Sequence, residues 1–105
     1  MNKKNIFDGI PDNLKNELFE DIFSNENIKI ERIVSKGHIS PESGWYDQNT
    51  AEFVVVVQGE AVLSFLDADD VRLKEGDYIN IPAHTKHKVS YTSSNPETIW
   101  LAIHF

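Results

Sequence analysis

In the stretch GDYINIPAHTKHKV, Gly76 to Val89, two of the chain's four histidines, His84 and His87, stand three apart directly after a strand that ends at Pro82. Imidazole side chains placed this way can ligate a metal ion or carry a proton near neutral pH. Upstream, Trp45 and Tyr46 lie among Gly44, Asp47 and Gln48, polar company in which an aromatic ring meets a ligand or packs on a second subunit. His84 reads equally as a ligand, a gate at a cavity mouth or a solvated loop histidine. His38, after Gly37, reads as a surface or turn histidine, and His104, alternating with Ala102 beside the C-terminus, receives no role.

Composition excludes several other chemistries. With no cysteine there is no disulfide framework, thiolate nucleophile or zinc-ribbon site. A formal net charge of −7 argues against nucleic acid and anionic membranes, whose recognition needs clustered Lys and Arg. The five glycines form no G-x-S-x-G elbow, P-loop or G-x-G-x-x-G turn, so serine-hydrolase, nucleoside-triphosphatase and dinucleotide chemistry lack their residues. The opening MNKKNIF is not followed by an apolar stretch fit for a signal peptide, and the longest apolar run, 53–57, is too short to span a membrane. A cytoplasmic protein is expected.

The elements that must position these residues come next. At 105 residues the chain reads as one domain, 1–105. Leu14, Leu18 and Ile22 recur every four with Phe19 and Phe23 beside them, a stripe that predicts one short N-terminal α-helix over roughly 12–23, packed on the domain's own sheet. From residue 28 the pattern changes to short runs rich in β-branched and aromatic residues, predicting strands at 28–34, 45–46, 53–58, 61–66, 71–73, 77–81, 86–92 and 98–105. Turn-prone clusters at 58–60, 67–70, 74–77 and 93–96 predict antiparallel hairpins between consecutive strands. The run Phe53 to Val57 is apolar on both alternating faces, so its outer side calls for a cover: the helix or a second subunit.

Gly76, five residues, Pro82, one residue, His84, two residues, His87, three residues and Tyr91 resembles the second conserved motif of the cupin family, G-x5-P-x-G-x2-H-x3-N, with His84 in the glycine place and Tyr91 in the asparagine place. Glu52, six residues and Gly59 resembles the end of the first motif, G-x5-H-x-H-x3or4-E-x6-G. The resemblance implies an all-β fold, a double-stranded β-helix or jelly-roll barrel like that of the small single-domain, RmlC-like cupins. It also implies a homodimer and a site inside the barrel. Metal-binding cupins draw two histidines and a glutamate from the first motif and one histidine from the second. Here Glu52 and His87 keep their places, while the two other histidine places fall on Tyr46 and Gln48 with the shorter spacer, or on Trp45 and Asp47 with the longer. If the segment stays extended, Tyr46, Gln48 and Glu52 share a face and Asp47 needs a bulge to join them.

The resemblance therefore implies a divalent metal, iron, manganese, zinc or nickel, held by His87 and Glu52 with Gln48 or Asp47. The alternative is a buried Glu52 paired with Tyr46 or His87 and no metal. Two functional classes stay open. One is a metal-dependent enzyme acting on a small metabolite, with Tyr46 or His84 as acid or base. The other is a barrel that binds a small molecule without turnover, and a metal-free isomerase or epimerase stands as a third reading. Fold alone does not choose among them.

Overall fold

The computed structural model describes residues 1–105 and contains eight strands: β1 Leu18–Ser24, β2 Lys29–Ser35, β3 Glu52–Gln58, β4 Ala61–Phe65, β5 Ala68–Leu73, β6 Tyr78–Ile81, β7 His87–Thr92 and β8 Thr98–His104. They form a five-stranded sheet in the order β1-β2-β8-β3-β6 and a three-stranded sheet in the order β5-β4-β7. Every pairing is antiparallel. The two sheets close over a core of Ile33, Val54, Val56, Leu63, Leu73, Ile81 and Trp100, with Ala61 and Ala102 filling the narrow places. This is the jelly-roll barrel that the motifs imply.

The N-terminal helix is not there. Residues 18–24 form β1, which pairs with β2 from Leu18↔Val34 to Ser24↔Lys29, with Ile22 bulged out of register. The apolar spacing of four that suggests a helix is also an even spacing, so it satisfies a strand's period of two equally well. What decides between them is the partner. Residues 31–35 of β2 are all buried, and backbone groups along a bare β2 edge would lack hydrogen-bond partners. Strand β1 supplies those partners, whereas an isolated helix of this length would be marginal. The hairpin turn is fixed by Asn25, whose Oδ1 accepts from the N–H groups of Asn27 and Ile28 at 2.8 and 2.9 Å.

Only β1–β2 and β4–β5 are hairpins of consecutive strands. The turns around Gly59, at 74–77 and at 93–96 instead carry the chain from one sheet to the other. Turn residues specify that the chain reverses, not which strand it then meets. The turn expected at 67–70 is shorter, since Phe65 pairs with Ala68 and β5 begins there. Segment 40–46 does not form a full strand but crosses β7 through bridges at Ser40↔Val89 and Tyr46↔His87.

Alternation sorts the large sheet into two faces, because residues paired across a ladder share a face. Lys29, His104, Glu52 and Ile81 make one interior row, Glu31, Ala102, Val54 and Ile79 the next, and Ile33, Trp100 and Val56 the third. The first two rows carry the polar groups. The third belongs to the apolar floor.

Candidate functional site

A cavity of about 90 Å³ opens from the barrel end, lined by fifteen residues. Its walls are apolar, with Val54, Leu63, Ile81 and Val89 among them, and its polar groups are Glu17, Glu31, Glu52, His87 and His104 together with Ser40, Tyr46 and Gln48. Glu52 is at the centre. Its position opposite His104 in the β3–β8 ladder and opposite Ile81 in the β3–β6 ladder holds it on the interior face, 9% exposed.

The two oxygens of Glu52 face different rings. Oε1 lies 3.5 Å from His87 Nε2 and Oε2 lies 3.6 Å from His104 Nε2, both beyond ordinary hydrogen-bond length. His104 Nε2 also makes a 2.8 Å hydrogen bond with Glu31 Oε1. Glu31 reaches it because Ala102, directly across the ladder from Glu31, leaves room on the diagonal. His87 is anchored from behind: its Nδ1 stands 2.7 Å from the Thr85 carbonyl, which can only accept, so Nδ1 carries a proton and Nε2 is the atom turned to Glu52.

The charges follow from this geometry. A hydrogen bond to Glu31, helped by the nearby Glu52 and Glu31 charges, outweighs burial and raises the His104 pKa above the ordinary 6.5. Burial works against a charged His87, but Glu52 and the Thr85 carbonyl overcome it and raise that pKa too. For Glu31, burial would raise the carboxyl, yet His104 and Lys29 together bring it below its usual 4.5. Burial pushes the Tyr46 phenol above its usual 10.0, so it stays neutral, a hydrogen-bond donor rather than an acid.

The sequence-predicted residues divide into two groups. Glu52, His87, Gln48 and Tyr46 all line the cavity. The Tyr46 ring stands 5.6 Å, centroid to centroid, from the His87 ring, and the backbones of the two residues are joined by hydrogen bonds of 2.8 and 3.2 Å. Asp47 and His84 do not line the cavity; they meet each other through a 2.9 Å contact between His84 Nδ1 and Asp47 Oδ1, with side chains 64% and 42% exposed. His84 has φ of 61°, in the left-handed region, which accounts physically for glycine at that place in the motif it resembles. His38 lies away from the barrel, its ring held between the Lys36 N–H and the Lys15 carbonyl.

Glu31 and His104 are the two site residues that the motifs do not mark. Glu31 lies with Arg32 between the apolar residues Ile30 and Ile33-Val34, and alternation puts it on the same face as Ile33. His104 shares a face with Ala102 and Trp100 by the same rule. What no sequence pattern gives is the register that brings Glu31, His104 and Glu52 level.

Does this cluster suit a metal ion? Glu31, Glu52 and His104 each offer one ligand atom, all within 4.8 Å of one another, and a set of carboxylate oxygens with imidazole nitrogen matches divalent iron, manganese, zinc or nickel. Glu31 and Glu52 are buried and His104 half-buried, and the two carboxylates have only His87, His104 and Lys29 for counter-charge, so the residues fit the group.

Residues 32–104 match the family described as the cupin domain. A crystal structure of a candidate mannose-6-phosphate isomerase from Ralstonia eutropha is similar with a TM-score of 0.92 and 35% identity, covering 99% of this chain and 97% of that one. A cupin superfamily protein from Desulfitobacterium hafniense has a TM-score of 0.76 and 20% identity, over 91% of this chain and 83% of its own. An RmlC-like cupin from Methanocaldococcus jannaschii has a TM-score of 0.72 and 20% identity, over 91% of this chain and 85% of its own. No curated protein matches the sequence. No helix of the fold is long and apolar enough to cross a membrane.

Proposed function

The chain belongs to the cupin family, and from that premise we propose that its barrel is a small-molecule site in which Glu31, Glu52 and His104 hold a divalent metal ion and His87 moves a proton. One observation carries this reading: the buried carboxylate of Glu52 turns one oxygen to His104 and the other to His87. A single side chain thereby belongs to a ligand set on one side and to an acid–base pair on the other.

A divalent ion held by Glu31, Glu52 and His104 would supply Lewis acidity toward negative charge developing on the ligand. The remaining work falls to the chain's own groups. With Nδ1 tied to the Thr85 carbonyl, neutral His87 offers the lone pair of Nε2 to the cavity and can take a proton from a carbon or hydroxyl next to a carbonyl. Glu52 then stabilises the imidazolium that results. Tyr46, a neutral phenol whose ring stands 5.6 Å from that of His87, can donate a hydrogen bond to the same ligand. The apolar walls exclude water, which strengthens each of these interactions. The reaction class that suits this equipment is proton transfer within a hydroxy-carbonyl compound, an isomerisation. The description of the Ralstonia protein as an isomerase supports the same class.

Metal analysis tests the reading. Chain purified without chelator, or loaded with iron, manganese, zinc or nickel and desalted, should carry about one ion per chain and lose it in Glu52→Gln and His104→Gln. His84→Gly should keep it, because His84 lies outside the cavity. A wild-type chain that stays empty with every metal would overturn the metal site. Turnover that survived chelation would then favour acid–base chemistry by His87 and Glu52 alone, and ligand binding without turnover would favour a sensor.

A further inference from the structure

The charge inside the barrel speaks to the class of compound it takes, an inference that rests on the reading of the cavity as a small-molecule site. None of the fifteen lining residues is Lys or Arg, while three are glutamates: Glu17, Glu31 and Glu52. Proteins hold phosphate groups with Arg, Lys or protonated His side chains, with bound metal ions, with helix N-termini, or with glycine-rich loops whose N–H groups converge. Of the chain's own groups this cavity offers only His87 and His104, and both already face carboxylates, His87 that of Glu52 and His104 those of Glu31 and Glu52. The fold contains no helix, and none of the five glycines lines the cavity.

The cations nearest the barrel are committed elsewhere. Lys29, at the outer opening shared with Glu31 and His104, has its Nζ 3.6 Å from both Asp21 Oδ1 and Glu31 Oε2. Arg32 points to the opposite face, where it pairs with Glu20 and donates to the carbonyls of Ile6 and Asp8. Lys88 stacks 4.5 Å from the Trp45 ring centroid. Glu17, which also lines the cavity, accepts a 2.5 Å hydrogen bond from Ser35 Oγ, which fixes its carboxylate.

We propose that the barrel takes an uncharged, hydroxylated carbonyl compound carrying no phosphate, and that Glu17, Glu31 and Glu52 exclude the phosphorylated counterparts. A phosphate ester entering the metal-free cavity would set two negative charges against all three carboxylates in a partly desolvated space, and with an ion held by Glu31, Glu52 and His104 the remaining carboxylate, Glu17, keeps that repulsion. Such like-charge juxtaposition is costly, while a neutral polyol can hydrogen-bond to the same oxygens. The selectivity thus differs from the one suggested by the Ralstonia protein's description as a candidate sugar-phosphate isomerase.

The experiment is calorimetric titration with aldoses and ketoses of three to six carbons, each beside its phosphate ester, on both metal-loaded and chelated wild-type chain. At least one neutral member should bind roughly tenfold or more tightly than its ester. Glu17→Gln, which leaves the ligand trio intact and can keep the Ser35 contact, should narrow that gap several-fold. Equal or tighter binding of the esters in either form of the protein overturns the proposal, as does failure of every neutral compound to bind. Lys29→Met distinguishes one route to that failure, since loss of ester binding would identify Lys29 as a phosphate anchor. Ion content measured on the same samples reports separately on the metal site, so an empty but sugar-selective barrel would remove the metal reading and leave this one standing.

Discussion

His104 faces Glu52 directly across the β3–β8 ladder and reaches diagonally to Glu31, so its ionisation is tied to two carboxylates. In the metal-free chain this makes stability depend on pH in a specific direction. The folded His104 pKa is raised, so its stabilising contribution is complete below the ordinary 6.5 and is lost as pH climbs through the folded value. Glu31 is shifted the other way, so its contribution is present above the ordinary 4.5 and is lost as pH falls through the folded value. The pair therefore stabilises most between about 4.5 and 6.5, and the unfolding midpoint of chelated chain should decline as pH rises above 6.5. His104→Gln should flatten that alkaline decline while His87, also raised, leaves part of it. An unchanged slope in the variant would mean that His104 and Glu31 are not coupled. At this scale the sequence is half legible. Glu52 and His87 stand at motif places that can be counted along the chain, and Tyr46 and Gln48 at the places that the shorter first-motif spacer gives. Glu31 and His104 depend on strand register, which spacing does not encode. Asp47 and His84 satisfy the count but turn outward onto each other, because His84 occupies the left-handed position where its ring points to solvent.

Among the elements, the connection from β3 to β4 is the most constrained. Gly59 has φ of 85°, and a Cβ there would stand 2.6 Å from Ser93 Oγ, 2.9 Å from Thr98 Cα and 3.0 Å from the Glu97 carbonyl oxygen. The Ser93 hydroxyl can move, but the β8 backbone cannot without disturbing Thr98, whose Oγ1 bonds to the carbonyls of Glu60 and Ser93. Gly59→Ala should therefore cost on the order of 2–4 kcal/mol, combining left-handed strain with overpacking. Denaturant unfolding measures it, and a cost under about 0.5 kcal/mol would show that the turn relaxes freely. The same turn explains why the turn-prone clusters suggest more hairpins than the chain forms. Gly59 marks a reversal in the sequence, yet the close approach to residues 93–98 sends the chain onto the second sheet. Strand β1 makes the complementary point, since its spacing fits both periods and only the buried edge of β2 decides which one forms.

For the molecule as a whole, the outer face of the large sheet remains to be covered. Ile30, Ile103 and Phe53 align across one row, and Leu101, Val55 and Tyr78 across the next. The first five are half-buried and Tyr78 is 68% exposed, with its ring 5.4 Å from that of Phe53. The N-terminal segment does not supply the cover that a helix would have given: Arg32 holds the carbonyls of Ile6 and Asp8 at one side, leaving these two rows open. Contiguous apolar surface of this kind is the feature of a subunit interface, and it explains why Phe53 to Val57 is apolar on both faces although only one faces the core. We expect two copies to pack through this face, giving light-scattering mass twice the chain's 12.0 kDa. Phe53→Glu and Ile103→Glu, at positions already partly exposed in the single chain, should give a folded monomer with the cavity's ligand binding retained, because Glu52 and His104 point to the opposite side of the same strands. A wild-type chain of 12.0 kDa in solution would remove the interface, and variants that stay dimeric would move it to the β1 edge, where Phe19, Ile22 and Phe23 are exposed apolar residues.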